Sequence, residues 1–355
     1  VCLGLYKIAP QGCDYKVTIE LTPAQETAGQ VEFPPRLPLN STPVPAARNP
    51  DGWYTGELHC HTYHSDGDSA PLDVVRKAEA LGLDFLAIMD HNTISHQVDL
   101  NRIETPLILI PGYEVTTFNG HWNIWGDQNW IDFRILTAEE MASAIQEAVR
   151  RGFLVSCNHP RPFGPPWMFA NVEGFHCVEV WNGPWPLLNE DCLAFWEAKL
   201  RSGKRLSAVG GSDCHFLKQE HHASLATPTT HIYCEGAPSA AALLAALRAG
   251  HAYVSESPTG PEIELRAGEA MMGDVVHTDA PALDFVVSTR RAAGMTLELY
   301  GARGLLSQQT LHEDATRHSN RLDVHDTLYV RSQLVTESDG VRRVYALTNP
   351  IYLSQ

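Results

Sequence analysis

Hydrophobic and polar positions follow two different patterns along the chain. Between about residues 53 and 255, short continuous apolar runs alternate with segments whose apolar residues recur every three or four positions. The first pattern is typical of buried strands and the second of helices that cover a sheet. After Pro261 the apolar residues fall in short runs separated by turn residues, which predicts a small β-sandwich. We therefore expect an α/β domain over 53–257 and a β-sandwich over 258–355.

The same pattern predicts where the individual strands and helices begin and end. In the first domain the predicted strands are 53–61, 84–89, 106–115, 122–125, 153–157, 176–181, 206–209 and 229–234. The predicted helices are 71–81, 137–152, 187–203 and 239–249. In the C-terminal region the predicted strands are 263–265, 283–287, 296–300, 328–331 and 344–347. Thr137 and Glu140 have the spacing of a capping box, which marks a helix start.

The first 52 residues contain a strand-like patch at 15–21, and six prolines follow between residues 34 and 50. Because prolines at this density interrupt regular structure, residues 1–52 are predicted to form one strand and a linker over the surface. The chain begins at Val1 rather than methionine, which is consistent with a trimmed segment, and no signal peptide is recognised. We expect a cytoplasmic protein.

Composition limits the classes of partner. The chain has 355 residues, 44% of them hydrophobic, and a formal net charge of -16. A charge of this sign disfavours binding to a nucleic-acid polymer or to an anionic membrane surface. No apolar run is long enough to span a membrane. A small anionic substrate held by metal ions remains compatible with the charge, because bound cations dominate the local field. The oligomeric state is left open.

Eight cysteines are scattered along the chain without a Cys-x-x-Cys motif. Most lie inside apolar strand-like runs, where a free cysteine behaves as a small hydrophobic residue. We interpret them as reduced core residues. Cys2 and Cys13 are the one pair for which a disulfide stays open.

His59 and His61 end the first predicted strand of the α/β region. Side chains alternate along a strand, so these two imidazoles share a face while Cys60 turns away. Two neutral imidazoles side by side are suitable metal ligands. An ordinary strand with two hydrogen-bonded histidines is the alternative for this motif alone.

Further potential ligands follow other predicted strands. The complete set is His59, His61, Asp66, His91, Glu114, His121, His159, Asp213 and His215. In α/β barrels the carboxyl ends of the strands meet at one rim, where active sites lie. A divalent ion in a hydrolytic site takes about three protein ligands and a water, so nine residues indicate two or three ions that share carboxylates.

The order of these residues resembles that of the PHP (polymerase and histidinol phosphatase) family. The matching features are His59-x-His61, Ser65-Asp66-Gly67, Asp90-His91, Glu114 with His121 seven residues later, Asn158-His159-Pro160 and Ser212-Asp213-x-His215. The resemblance covers residues 53 to about 255, and the ending at 347–352 is similar to a branch that includes a carbaryl hydrolase. It implies a distorted (β/α)7 barrel and a trinuclear metal site.

The resemblance also implies how the ligands divide. The first ion would be held by His59, His61 and Asp213, the second by Asp66, His91 and His215, and the third by His121 and His159, with Glu114 bridging the first and third. Some family members have histidine in place of Asp66, and His64 lies close enough in sequence to compete for that role. Mixed nitrogen and oxygen ligands suit Mn, Fe or Zn.

Other residues are candidates for substrate contacts. Six tryptophans near strand ends could form an aromatic wall, or could belong to the core: Trp122, Trp125, Trp130, Trp167, Trp181 and Trp185. Arg161 is the candidate for binding a substrate oxygen and for a catalytic role, with a structural arginine as the alternative. Lys218 and His222 lie on a polar loop that could reach the site or remain solvated.

These residues predict an enzyme. A hydroxide that bridges two metal ions is a nucleophile near neutral pH, and the ions offset charge on a phosphoryl or carbonyl oxygen. Ser212, beside Asp213, is interpreted as a turn residue. We expect a metal-dependent phosphoesterase, with small phosphodiesters favoured over phosphomonoesters. The alternatives are a hydrolase of carboxylic or carbamic esters and a non-catalytic metal-binding module.

Overall fold

The computed structural model describes residues 10–20, 51–126, 129–218, 223–338 and 340–354. The helices in these ranges are α1 Pro71–Ala80, α2 His96–Leu100, α3 Ala138–Arg150, α4 Asn189–Arg201 and α5 Ala240–Ala249. The first ten strands are β1 Trp53–Cys60, β2 Phe85–Ile88, β3 Ile108–Leu109, β4 Gly112–Thr117, β5 Gly120–Trp125, β6 Leu154–Cys157, β7 Cys177–Asn182, β8 Ser207–Gly211, β9 Thr229–Tyr233 and β10 Ala252–Ser255. The remaining strands are β11 Glu262–Ala267, β12 Ala270–Met271, β13 Val275–His277, β14 Ala282–Arg290, β15 Thr296–Gly301, β16 Gly304–Thr310, β17 Thr316–Asp323, β18 Tyr329–Ser338, β19 Val341–Thr348 and β20 Ile351–Ser354.

The described strands form three sheets. The largest has the order β13-β20-β18-β19-β10-β9-β1-β2-β3, with β15 beside β18 and β16 beside β15. A second sheet has the order β4-β5-β6-β7-β8, and a third has the order β12-β11-β14-β17. Helices pack against the first two sheets through apolar faces. Val74, Val75 and Ala78 of α1 lie against Leu86 and Ile88 of β2, so the fold is a mixed α/β fold.

A closed (β/α)7 barrel, which the family resemblance implied, is not evident. Strands β1 to β3 and β4 to β8 belong to different sheets, which meet at the isolated bridges Cys60–Cys214 and His91–Glu114. The turn between β4 and β5 contains only two residues, and these strands pair antiparallel. A parallel pair needs a crossover of a dozen or more residues, so this connection cannot form a β/α barrel unit.

Local sequence signals explain several element boundaries. Helix α3 begins with the predicted capping box: Glu140 N donates to Thr137 Oγ1 at 3.2 Å, and Thr137 N donates to Glu140 Oε2 at 3.1 Å. The single strand predicted at 106–115 is divided into β3 and β4, with Pro111, which lacks an N–H donor, between them. Helix α2 was not predicted, because five residues carry too little periodicity to be recognised.

The structure describes only part of the N-terminal segment for which a strand and a linker were predicted. Residues 15–20 are exposed and form no strand, so the predicted strand at 15–21 is wrong for its described part. Position 21 and most of the proline-rich passage, residues 21–50, lie outside the described residues.

The C-terminal region is two-layered. A core that includes Phe285, Leu299 and Leu334 lies between the third sheet and the C-terminal strands of the largest one. Strand β10 pairs antiparallel with β19, with Val254 opposite Leu347, so the largest sheet continues across the predicted domain boundary.

The cysteines in the described ranges are free thiols, and Cys13 is exposed whereas the other six are buried. Cys2 lies outside the described residues, so its pairing with Cys13 stays a prediction. The described helices include none that is long and apolar enough to cross a membrane.

Candidate metal centre

Strand β1 presents the first two ligands as the alternation predicts. His59 and His61 are buried, with their ring centroids 5.1 Å apart. Cys60 turns away and packs in the apolar cluster with Leu86 and Ile88. The strand therefore separates a polar face, which carries both imidazoles, from a core face.

All nine predicted ligands lie together, and their donor atoms form overlapping groups. Three groups have every ligand atom within 4.8 Å of the others: His59, His61 and Glu114; His61, Asp66, His91 and His215; and His91, Glu114 and His121. Asp213 joins the first group, because its Oδ1 lies 3.0 Å from His61 Nε2 and 3.4 Å from His59 Nε2. His159 joins the third, with Nε2 3.6 Å from Glu114 Oε1.

Glu114 lies between the first and third groups. Its Oε2 is 2.8 Å from His91 Nδ1 and 3.5 Å from His59 Nε2, and its Oε1 is 3.2 Å from His121 Nδ1. Burial raises the pKa of this carboxyl, but the histidines around it outweigh burial and hold the pKa well below its usual value. Glu114 is therefore a buried carboxylate whose Oε2 faces His59 and His91 and whose Oε1 faces His121.

The second group forms the open side of the cluster. Asp66 Oδ1 lies 3.4 Å from His91 Nε2 and 3.2 Å from His215 Nε2, and the Asp66 side chain is 61% exposed. Burial opposes ionisation of Asp66, but its contacts with His215 and His91 lower its pKa to about 2. Burial likewise disfavours the charged form of His215, but Asp66 and Asp213 raise its pKa to about 9. The cluster is therefore open to solvent on this side.

Two ligands have an unusual backbone conformation. His159 has a φ of 29° and Asp213 a φ of 52°, in a region that non-glycine residues seldom adopt. Asp213 N donates to His59 O at 2.7 Å, and His159 N donates to Glu179 Oε2 at 3.1 Å. These hydrogen bonds fix two strained positions next to the cluster, as is frequent at functional sites.

The donor set fits bound divalent cations. His59 Nε2 and His121 Nε2 are buried without a hydrogen-bond partner, which is rare for buried polar atoms. Burial and the neighbouring His91 lower the pKa of His61 to about 4, so its imidazole is neutral and able to bind a metal at neutral pH. Burial also lowers the pKa of His59, but the carboxylates of Glu179, Asp213 and Glu114 raise it well above its usual value. A cation there would take the place of that proton.

Comparison with known proteins gives limited similarity. No family model matches the sequence. A stretch of 63 residues is 38% identical to a 5'-3' exoribonuclease of Haemophilus influenzae, covering 17% of this chain and 23% of that protein. The chain thus matches less than a quarter of that relative's length.

Two solved structures show weak similarity to this one. A two-domain protein from Bacteroides vulgatus, containing a predicted PHP-like metal-dependent phosphoesterase, is 18% identical with a TM-score of 0.44, covering 83% of this chain and 96% of that one. An amidohydrolase from Chromobacterium violaceum is 16% identical with a TM-score of 0.32, covering 47% of this chain and 89% of that one. At identities and TM-scores this low, functional inference depends on the geometry of the site.

Two buried carboxylates behind the cluster orient its parts. His59 Nδ1 donates to Glu179 Oε1 at 2.8 Å, and Asn182 Nδ2 donates to Glu179 Oε2 at 3.0 Å. Asp90 accepts from Thr62 N at 2.7 Å and from Ser65 Oγ at 2.8 Å, so it holds the loop that carries Asp66. The role of Glu179 was not predicted, although a charged residue inside the apolar run 176–181 was a usable signal.

The structure does not support Arg161 as a substrate contact. Its side chain is buried, and it donates from Nη1 to Leu187 O at 2.7 Å and from Nη2 to Asn182 Oδ1 at 2.7 Å. These acceptors hold the guanidinium against the end of β7 and the loop that follows it, which favours a structural role. The structural alternative describes Arg161 better.

The remaining candidates have different outcomes. Trp122 is fully buried among apolar side chains, so it does not contact a substrate. Trp125, Trp181 and Trp185 are buried as well, which leaves no continuous tryptophan wall. Lys218 is exposed, and its Nζ donates to Asp68 O at 2.9 Å. His222 lies outside the described residues.

Two neighbours of the ligands have structural partners. His64 lies 2.8 Å from Ser95 Oγ through Nδ1 and 2.9 Å from Asp99 Oδ2 through Nε2, so both of its ring nitrogens are engaged away from the cluster. Ser212 is buried, and its hydroxyl accepts from Cys214 N at 3.2 Å, as expected for a turn residue.

Proposed function

We propose that the chain is a metal-dependent hydrolase of phosphate esters and that its substrates are small phosphodiesters. The observation that carries the proposal is Glu114, a buried carboxylate whose two oxygens face different histidine groups. A carboxylate in this position suits the bridging of two cations, and adjacent cations are the arrangement that many phosphoesterases use.

The residues suggest how three ions would be held. One ion would lie among His59, His61, Asp213 and Glu114, a second among Asp66, His91 and His215, and a third among Glu114, His121 and His159. Mn, Fe and Zn all suit this mixture of imidazole and carboxylate ligands. When bound, such ions supply a hydroxide nucleophile near neutral pH and offset charge on the phosphoryl oxygens.

The protein's own groups have separate tasks in this proposal. Glu179 keeps Nδ1 of His59 occupied, so that Nε2 faces the cluster. Asp90 fixes the loop that carries Asp66 at the open side of the site. The buried side, formed by His59, His61 and Glu114, excludes water from behind the ions.

Charge near the site favours diesters over monoesters. A phosphomonoester is close to a dianion at neutral pH, and sites for it usually add arginine or lysine contacts to the metals. Here the Arg161 guanidinium is held by Leu187 O and Asn182 Oδ1, and Lys218 Nζ donates to Asp68 O. The short similarity to an exoribonuclease also supports phosphodiester chemistry, while the net charge of -16 favours small diesters over a polymer.

The small number of cations among the described residues near the cluster also suits a second candidate substrate, a carboxylic or carbamic ester, whose scissile group is neutral. Initial rates of the metal-loaded protein on p-nitrophenyl phosphate, bis-p-nitrophenyl phosphate and an aryl carbamate separate the cases. The proposal predicts the highest kcat/KM for the diester. Faster cleavage of the carbamate would favour the second candidate, and no turnover with any metal would favour a non-catalytic module.

A further inference from the structure

Large apolar side chains are exposed in the loops around the metal cluster. In the described chain from residue 51 onwards, every exposed aromatic side chain lies in such a loop, and Met168 is exposed there as well. We call these residues the apolar rim: Tyr63, Phe118, Trp130, Phe163, Met168 and Phe216. Exposed apolar surface gathered in one place usually marks a binding site.

Several contacts place the rim beside the ligands. Phe216 follows His215, and their ring centroids are 6.1 Å apart. Trp130 Nε1 donates to Asn92 O at 3.0 Å, directly after His91. These two side chains therefore lie next to the open second group of ligands.

Other contacts fix the rim loops relative to each other. Met168 N donates to Asn119 O at 2.9 Å, so the loop after β6 lies against the turn that carries Phe118. Arg161, at the start of the same loop, donates to Leu187 O in the loop after β7. The apolar side chains are thus exposed on a backbone that hydrogen bonds hold in place, which lowers the ordering cost of binding.

The charge of the rim is low. Arg134, in the loop after β5, pairs with Asp132, and Lys218, after Phe216, is bound to Asp68. Within the described residues, an apolar rim with few cations beside a cluster that could bind an ester group suits a molecule with one reactive polar group and one apolar group.

We propose that the apolar rim binds the non-reacting apolar group of the substrate, and that the enzyme selects esters with a long alkyl or aryl group. This inference rests on the proposed phosphodiesterase function and adds the substrate class. Burial of each methylene is worth about 0.8 kcal/mol, or about fourfold, so kcat/KM should increase about two- to fourfold per methylene on this partly open surface.

A series of alkyl p-nitrophenyl phosphodiesters, from ethyl to octyl, tests the proposal because the leaving group stays constant. In the wild type, the slope of log kcat/KM against alkyl chain length should be positive. Phe163→Ser and Met168→Ser should lower kcat/KM for the octyl ester more than for the ethyl ester. Leu305→Ser is a matched control, because Leu305 is 47% exposed on β16 in the C-terminal region, and it should leave the slope unchanged. A flat series in the wild type would overturn the proposal.

A binding experiment separates failure of this proposal from failure of the proposed function. Calorimetric titration of the metal-loaded protein with methylphosphonate and octylphosphonate needs no turnover. Tighter binding of octylphosphonate, weakened by Phe163→Ser, supports the rim even if no ester is cleaved. Equal affinities for the two phosphonates would overturn the proposed role of the apolar rim, whether or not the protein cleaves esters. A wild-type dimer that Phe163→Ser dissociates, together with equal affinities, would assign the surface to contact between two copies of the chain.

Discussion

Replacing Glu179 with glutamine tests whether the residues behind the cluster control metal binding. Glu179 accepts three hydrogen bonds through two oxygens, from His59 Nδ1 at 2.8 Å, His159 N at 3.1 Å and Asn182 Nδ2 at 3.0 Å. Glutamine has one oxygen and one NH2 group. In either orientation of the amide, at least one of these donors would face another donor in a buried site.

The expected loss of metal affinity in Glu179→Gln follows from these hydrogen bonds. A hydrogen bond to a charged group contributes about 1.5–3 kcal/mol, and a buried unsatisfied donor costs about 1–3 kcal/mol. Loss of a carboxylate that orients a metal-bound histidine typically weakens metal affinity by about 10–100-fold. Because His59 and His159 belong to different ligand groups, Glu179→Gln should weaken more than one site.

Metal content and affinity are the direct measurements. The variant should retain fewer ions than the wild type after dialysis, by elemental analysis, and should release Zn²⁺ or Mn²⁺ more readily to a chromophoric chelator. Glu197→Gln is the control, because Glu197 is also largely buried but pairs with Arg331 on β18, away from the cluster. The control should lower the melting temperature without changing metal affinity. Wild-type affinity in a folded Glu179→Gln protein, or equal losses in both variants, would refute the reasoning.

Three further predictions concern the same molecule. Chelation should abolish activity and lower the melting temperature, since ligands that bind only the folded state stabilise it. Added Mn²⁺ or Zn²⁺ should restore both, and unchanged activity in metal-free protein would exclude metal dependence. Glu114→Gln should lower metal content and turnover far more than His64→Ala, because His64 is engaged with Ser95 and Asp99; equal turnover in the two variants would contradict the bridging role. Burial lowers the pKa of His231 to about 3, below its unfolded value, so the unfolded state binds the extra proton and stability is lost as pH falls below about 6.5. The loss of unfolding free energy between pH 7 and 5, from urea titrations, should be smaller in His231→Gln by about 2 kcal/mol, and an unchanged loss would exclude this residue.

The shared face of His59 and His61 could be predicted because it depends on local chain geometry. Alternation along a strand places His59 and His61 on one face whatever the rest of the fold does. The same holds for the start of α3 at Thr137, where the capping box is satisfied by residues three positions apart. Signals of this kind lie within a few residues of each other.

Features that depend on distant partners could not be predicted. Arg161 lies two residues after His159 in the sequence, which suggested a place at the site. Its side chain instead hydrogen-bonds to Asn182 and Leu187, which are more than twenty residues away. Strands β1 to β3 and β4 to β8 lie in different sheets. This division depends on the short turn at Phe118 and on pairing between strands that are distant in the sequence. Tryptophan content indicated an aromatic site, yet burial placed most of these rings in the core and left the exposed aromatic positions largely to phenylalanine and tyrosine.

The network behind the cluster connects the two parts of the candidate active site. Arg161 hydrogen-bonds to Leu187 O in the loop after β7 and to Asn182 Oδ1, Asn182 donates to Glu179, and Glu179 holds His59. The loop after β6, which carries Phe163 and Met168, and the ring of His59 are therefore held by one set of buried polar groups. Because these hydrogen bonds connect Leu187 to His59, a change in the loop after β7 should affect the orientation of His59. Arg161, expected to bind substrate directly, instead links the loop after β6 to the residues that orient His59.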